Sequence, residues 1–258
     1  VSAWDPAQYL RFAEPRLRPA IELLARVALD APACVYDLGC GTGSASRLLA
    51  ARWPGACVTG VDGSEQMLAA ADAAGLSNLH WQQQDIALWR ASPCADLIYS
   101  NAALHWLSAH ERVFPQLLAQ LAPDGVLAVQ MPRNFSAPSH TAIGETVRSG
   151  PWRSRLEPLL TDSPVASPAW YFDLLSSHGA AVDLWETEYF HVLEGDDPVP
   201  RWTRGTWLAP LLAALPAHER AQFEREYAER VAAAYPCRVD GTTVLPFRRL
   251  FFVARRLS

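Results

Sequence analysis

The stretch VYDLGCGTGSASRLL, residues 35–49, constrains the fold more than any other part of the chain. An apolar run of strand character, Cys34-Val35-Tyr36, leads into glycines at 39, 41 and 43. A helical pattern follows, with Ala45, Leu48 and Leu49 on one face. Strand, glycine turn and helix in that order bring a ligand against bare backbone at the carboxyl end of a parallel strand. Two cofactor classes use such a turn. The dinucleotide fingerprint G-x-G-x-x-G puts its third glycine three residues after the second, where this chain has Ser44. An acid, Asp37, stands two residues before the first glycine, whereas the dehydrogenase turn runs straight out of a hydrophobic strand.

Strand-like runs at 34–38, 57–61, 79–82, 95–100 and 125–131 alternate with helical patterns through the first half. Ser64 caps a helix carrying Met67, Leu68 and Ala71, and Ser108 with Glu111 forms a capping box ahead of Phe114, Leu117, Leu118 and Leu121. Such alternation predicts an α/β fold, a Rossmann-like doubly wound sheet covered on both faces. In the second half, residues 182–193 and 242–255 look like strands. The segment 194–241 between them reads as helices, with Phe223, Tyr227 and Val231 at four-residue spacing. Two late strands bracketing helices predict a hairpin added to a mostly parallel sheet, with one antiparallel strand and a helical cap or lid. Pro246 predicts a bulge or strand start. The expected organisation is one domain over 1–258, with cap elements from about 1–28, 133–180 and 194–241.

The chain has 258 residues, half of them hydrophobic, enough for one sizeable core and a small cap. Its net charge of −5 argues against a nucleic-acid partner. No apolar run approaches the ~20 residues that span a bilayer, and VSAWDPAQYLRF is neither a signal peptide nor a transit sequence, so a cytoplasmic protein is expected. The five cysteines (34, 40, 57, 94 and 237) include no C-x-x-C pair, so neither a disulfide framework nor a metal site is expected. All 22 cations are arginine. Composition bias explains most of them, but arginine is also the side chain that grips carboxylates in a fork.

Further acids separate the two cofactor classes. Asp62-Gly63 ends the second strand, where an acid binds ribose hydroxyls in either class. Asp85-Ile86 follows the third, placed to read an adenine edge, and Ser100 and Asn101 end the fourth. Four strand ends carrying D-x-G-x-G-x-G, Asp62, Asp85-Ile86 and Asn101 resemble the class I S-adenosylmethionine-dependent methyltransferases. The resemblance implies S-adenosylmethionine as cofactor. Gly39 and Gly41 would meet its amino-acid part with Asp37 near the ammonium, Asp62 its ribose, Met67 its adenine face, and Asp85 and Ile86 its adenine edge. Met67 reads almost equally well as a helix core residue.

WDPAQYLRF, RLRPA, VQMPRN, YFDLLSSHG and LPFRRLFFVARR extend the likeness over nearly the whole chain and resemble the trans-aconitate methyltransferases. That resemblance implies methyl-ester formation on a small carboxylic acid. A carboxylate is already an anionic nucleophile at neutral pH, so no catalytic acid or base is named. His105 reads as a packing residue, at a position where the family commonly has Gln. The resemblance makes Tyr9, Arg16, Arg18, Asn134, Tyr171 and Trp202 candidate substrate contacts, and a monomer is expected. Trp207 and Ala209 depart from the family's T-G-L-R-P, with Arg133 for a usual Asp and Arg248 for a usual Pro. Phe172 and Phe190 stand for usual tyrosines. These departures leave open a less charged acid as substrate. A non-catalytic module that binds the cofactor and a nicotinamide dehydrogenase are the other two possibilities.

Overall fold

A computed structural model describes residues 17–204 and 207–257. The chain forms, in order, α1 (Arg18–Ala25), β1 (Cys34–Leu38), α2 (Ser44–Arg52), β2 (Cys57–Asp62), α3 (Glu65–Ala69), β3 (Leu79–Gln83) and β4 (Ala95–Asn101). A 3-10 turn (Leu104–Trp106), α4 (His110–Ala119) and β5 (Leu121–Pro132) follow. The remainder comprises α5 (Pro138–Ser149), α6 (Arg153–Leu156), α7 (Pro168–Ser177), β6 (Ala180–Glu194), α8 (Pro198–Arg204), α9 (Ala209–Ala213), α10 (Ala217–Ala234) and β7 (Thr242–Arg256).

Seven strands form one sheet in the order β3-β2-β1-β4-β5-β7-β6. The first five are parallel, and β7 runs antiparallel to β5 from Val126↔Arg255 to Pro132↔Arg249. The predicted strands are all present, β1 with unchanged boundaries. Val35, Leu38, Val58, Leu97, Ile98, Leu127 and Val129 are inaccessible, as parallel strands covered on both faces require.

The chain divides into two compact units. The first comprises residues 1–132, 164–187 and 249–258, and the second 133–163 and 188–248. The second has its own core, built by α10 with Phe223, Tyr227 and Val231 against Val147, Trp152 and Leu156. The four-residue spacing of those α10 residues is the buried stripe the sequence predicts.

Two local expectations are corrected. Ser108 does not cap α4: the residue before the helix is Ala109, in the left-handed region at φ 59°, with no side-chain cap. The first turn is fixed instead by His110, whose buried ring reaches the Leu104 carbonyl at 3.0 Å and the Tyr171 hydroxyl at 2.6 Å. Nor does β7 start at Pro246, the strand-start half of that expectation: it begins at Thr242. Its pairing with β5 begins only at Arg249, so the missing proline N–H breaks no bond of that ladder.

Candidate functional site

The expected cofactor residues all fall in the first unit, at the carboxyl ends of four adjacent strands, β3-β2-β1-β4. The loop after β1 is pinned to β2 by the amides of Gly39 and Cys40, which donate to the Val61 carbonyl at 2.8 and 3.1 Å. Gly39 has φ +75°, and a Cβ there would lie 2.1 Å from the Ala103 Cβ and 3.4 Å from Ile86 Cδ1. The glycine therefore lets the loops after β1, β3 and β4 converge. Gly41, at φ +54°, has open space where its Cβ would stand. That bare, unobstructed backbone is what a bound ligand needs.

Gly43 has a different reason. A Cβ on Gly43 would fall 2.2 Å from the Trp81 ring, and one on Gly60 2.5 Å from the same ring. Trp81 lies beneath the loop, and two glycines make room for it. Sequence reasoning missed Trp81, because a strand tryptophan carries no local mark of what its ring will meet.

Asp62 is half-buried, and its two oxygens accept from the Gly41 amide at 2.9 Å and the Ser64 amide at 2.8 Å. The same carboxylate thus shapes the loop and caps the turn into α3, while ionised oxygens keep further acceptor capacity for hydroxyl groups. Ser64 is the expected cap, its Oγ accepting from the Met67 amide at 3.3 Å. Helix α3 buries none of its residues, and Met67 is 48% exposed, so it is not a core side chain. Gly63 is exposed. Asp85 is also exposed, with Oδ1 accepting from the Ala87 amide at 2.9 Å, and Ile86 is half-buried.

Asp37 sits under the loop rather than on its open face. It is 1% exposed and accepts from Ser46 Oγ at 2.6 Å. Burial raises its carboxyl to about 7, the Ser46 hydroxyl opposing and the Asp62 charge adding to the rise. Ser100, expected beside the cofactor, is fully buried and donates to the Leu38 carbonyl at 2.8 Å, tying β4 to the end of β1. Asn101 is different. It is half-buried, and its Oδ1 is a buried acceptor with no partner among the described residues.

The expected substrate residues are not gathered in the same way. Tyr9 and Arg16 lie outside the described residues. Arg18 is exposed at the first position of α1. Tyr171 is corrected: it is fully buried, stacked at 5.7 Å on Phe252 and edge-on to Phe114 at 5.3 Å, with its hydroxyl on His110. It packs α7 onto the first unit's core and presents no face to a ligand.

In the second unit, Asn134 is buried. Its Oδ1 accepts from the Arg248 amide at 3.3 Å, and its Nδ2 has no partner among the described residues. Trp202 lies against His191, with ring centroids 4.8 Å apart. Trp207 is half-buried and edge-on to Phe135 at 4.9 Å and to His140 at 5.9 Å. Arg248 reaches Glu188 at 3.5 Å.

The edge of the first unit fits a cofactor with an adenosine at one end and an ammonium at the other. Asp62 offers acceptors for hydroxyls, Met67 and Ile86 offer apolar faces, and Asn101 Oδ1 is an acceptor waiting for a donor. Among the described residues no cluster of His, Cys, Asp and Glu fit for a metal ion occurs, and no helix is long and apolar enough to cross a membrane.

Comparisons with known proteins agree with that chemistry. Residues 35–125 match the family model described as a methyltransferase domain. A trans-aconitate 2-methyltransferase from Azoarcus sp. (strain BH72) is 46% identical over 253 residues, covering 98% of this chain and 99% of that one. Among solved structures, the YcgJ protein from Bacillus subtilis superposes with a TM-score of 0.61 at 15% identity, covering 93% of this chain and 98% of that one. A Haemonchus contortus phosphoethanolamine N-methyltransferase in complex with S-adenosyl-L-methionine gives 0.54 at 15% identity, covering 100% of this chain and 61% of that one.

Proposed function

Given that this chain belongs to the trans-aconitate 2-methyltransferase family and is an S-adenosylmethionine-dependent methyltransferase, we propose that it methylates one carboxylate of trans-aconitate. The observation that carries this reading is the reach of the likeness. It extends over 98% of the chain, and so takes in the second unit as well as the cofactor edge. The nicotinamide dehydrogenase possibility falls with the family assignment.

S-adenosylmethionine supplies an electrophilic methyl on a sulfonium, and the acid's carboxylate is itself the nucleophile. The protein's task is therefore to align, to exclude water and to answer charge. Asp62 takes the ribose hydroxyls, and Gly63 and Gly41 give the backbone room. Met67 and Ile86 cover the adenine faces, with Asp85 at its edge. Asn101 Oδ1 accepts from the ammonium. Asp37 acts from below the loop through its charge, with Gly39 holding the three loops together. Arg18, Asn134 and Trp202 remain the proposed acid contacts. We also propose a cytoplasmic monomer with no nucleic-acid or membrane partner and with cap elements from about 1–28, 133–180 and 194–241.

A second reading keeps the chemistry and changes the acid. It is favoured by Trp207 packing into an aromatic trio with Phe135 and His140, which with Ala209 makes that part of the second unit more apolar. A less charged carboxylic acid fits that inventory. The test is chemical. Incubation with methyl-labelled S-adenosylmethionine and trans-aconitate should give label in a base-labile monomethyl ester. Label in an ester of another acid alone would establish the second reading, and tight cofactor binding with no labelled acid would favour a non-catalytic module.

A further inference from the structure

Asn101 Oδ1 is not the only unanswered polar atom near the end of β4. His105 Nδ1 and Gln130 Nε2 are also buried without a hydrogen-bond partner among the described residues. Their side chains are 5% and 0% exposed. The three residues stand together in the fold. Asn101 and Gln130 are partners in the β4–β5 ladder, so their side chains leave the sheet on the same face. His105 lies four residues beyond Asn101, in the 3-10 turn, and carries the influence of the Arg249 charge from β7. A buried polar group with neither water nor partner is costly, so three at one strand end point to a ligand that answers them.

The chemistry of that ligand follows from the donor count. Arg249 Nη1 donates to Gln130 Oε1 at 3.4 Å. A guanidinium has only donors, so Gln130 must turn its oxygen to Arg249 and its NH2 away. His105 is neutral, because burial, then the Arg249 and His110 charges, hold its ring down to about 4. With its lone pair on Nε2, the tautomer that lets the unanswered Nδ1 donate, the ring offers an N–H at Nδ1. Neighbouring His110 has no such vacancy, since both its nitrogens are engaged. Two N–H donors beneath a positive potential fit an anion with two acceptor atoms. Asn101 Oδ1, an acceptor, does not fit that anion and stays with the cofactor's ammonium.

We propose that Gln130 and His105 anchor a carboxylate of the acid substrate other than the one that is methylated, with Arg249 as the positioning residue that orients Gln130. This rests on the reading of the protein as an acid methyltransferase. A carboxylate held by two N–H donors has two of its roughly four lone-pair sites engaged and is a weaker nucleophile than a free one, so the anchor also biases which carboxylate reacts. Neutral donors add a second property: the anchor neither loses nor gains charge between pH 6 and 8. The Trp106 ring lies beside His105, 4.7 Å away between centroids, and is 61% exposed.

The experiment is calorimetric titration of trans-aconitate into the S-adenosylhomocysteine complex of the full chain, for wild type, His105→Leu, His105→Gln and Gln130→Leu. Thermal melts check that each variant folds. Each Leu variant should weaken acid binding about tenfold or more, the loss expected for a hydrogen bond to a charged group. His105→Gln keeps an N–H donor and should stay within about threefold of wild type, while S-adenosylhomocysteine affinity should be unchanged throughout. If Gln130→Leu fails to fold, the two His105 variants decide the matter alone. Wild-type acid affinity in the Leu variants would overturn the anchor and leave the acid reading standing. A loss of S-adenosylhomocysteine affinity matching the loss of acid affinity would also overturn it. Failure of the wild-type complex to bind trans-aconitate, citrate or tricarballylate would overturn the anchor together with the trans-aconitate reading, and leave the less charged acid as the substrate to seek.

Discussion

The carboxyl edge of β3-β2-β1-β4 and the second unit solve different problems with different materials. The edge is backbone and short acids. Gly39, Gly41, Asp62 and Asp85 sit on strand ends whose positions the sheet fixes, and the Val61 carbonyl and Asp62 carboxylate lock the loop by bonds of 2.8–3.1 Å. The second unit is side-chain packing: Phe135, His140 and Trp207 edge to face, and Trp202 against His191. Backbone sites tolerate few changes, and here they carry the D-x-G-x-G-x-G on which the resemblance rests. Packed side chains can be exchanged singly, and the departures at 207 and 209 occur there. The lesson is that the cofactor residues and the exchanges at 207 and 209 fall in separate parts of the chain.

Four predictions sharpen or break that separation. Asp62→Ala should have the largest effect, weakening S-adenosylmethionine binding about tenfold or more, since it removes the charged hydrogen bond from the Gly41 amide and, on the proposed reading, those from the ribose. Near-wild-type affinity by calorimetry would remove Asp62 from the site.

Second comes a pH effect. The Asp37 carboxyl is raised to about 7, and a cationic cofactor favours its ionised form. Cofactor binding therefore expels a proton near pH 6, and affinity should rise by up to about tenfold from pH 6 to 8 and level off above. Asp37→Asn should flatten the profile; a profile that persists in that variant would place the titrating group elsewhere. The stability of the unliganded fold carries the opposite sign. A carboxyl that is raised in the fold takes up protons there first, so Asp37's contribution declines as pH climbs from about 4 through 7.

Third, Ala209→Arg should raise kcat/KM for trans-aconitate a few-fold while leaving cofactor affinity alone. A changed cofactor affinity would contradict the separation. The smallest effect belongs to Ser64→Ala, which removes the cap on α3 and should cost about 1 kcal/mol in a denaturant melt. No loss would mean that Asp62, bonded to the Ser64 amide, holds that turn unaided.

The contrast between the two regions also explains what the sequence discloses. Strand ends and glycine turns are local events: β1 falls at Cys34–Leu38 as its apolar run predicts, and Ser64 caps as its type predicts. Tertiary contacts leave no such trace. Ser108 and Glu111 form a fair capping box on paper, yet His110 is pulled inward by Leu104 and Tyr171, and that shifts the helix start. Tyr171 is a candidate contact by the family resemblance, and only the packing of α7 shows it buried against Phe114 and Phe252. Trp81 could be tied to Gly43 and Gly60 only once the strands were in register. Gln130 and His105 are equally silent in one dimension, because an unpartnered donor is defined by what surrounds it.

The measurement that tests the account most directly is kcat/KM for methyl transfer to trans-aconitate beside cis-aconitate, citrate and a monocarboxylic acid of similar size. The account predicts that trans-aconitate leads the panel by at least tenfold, with the label in a single monoester. Equal or faster turnover of the monocarboxylic acid would contradict it, and would mean that the exchanges at Trp207 and Ala209 have moved the substrate while the cofactor edge stayed as it was.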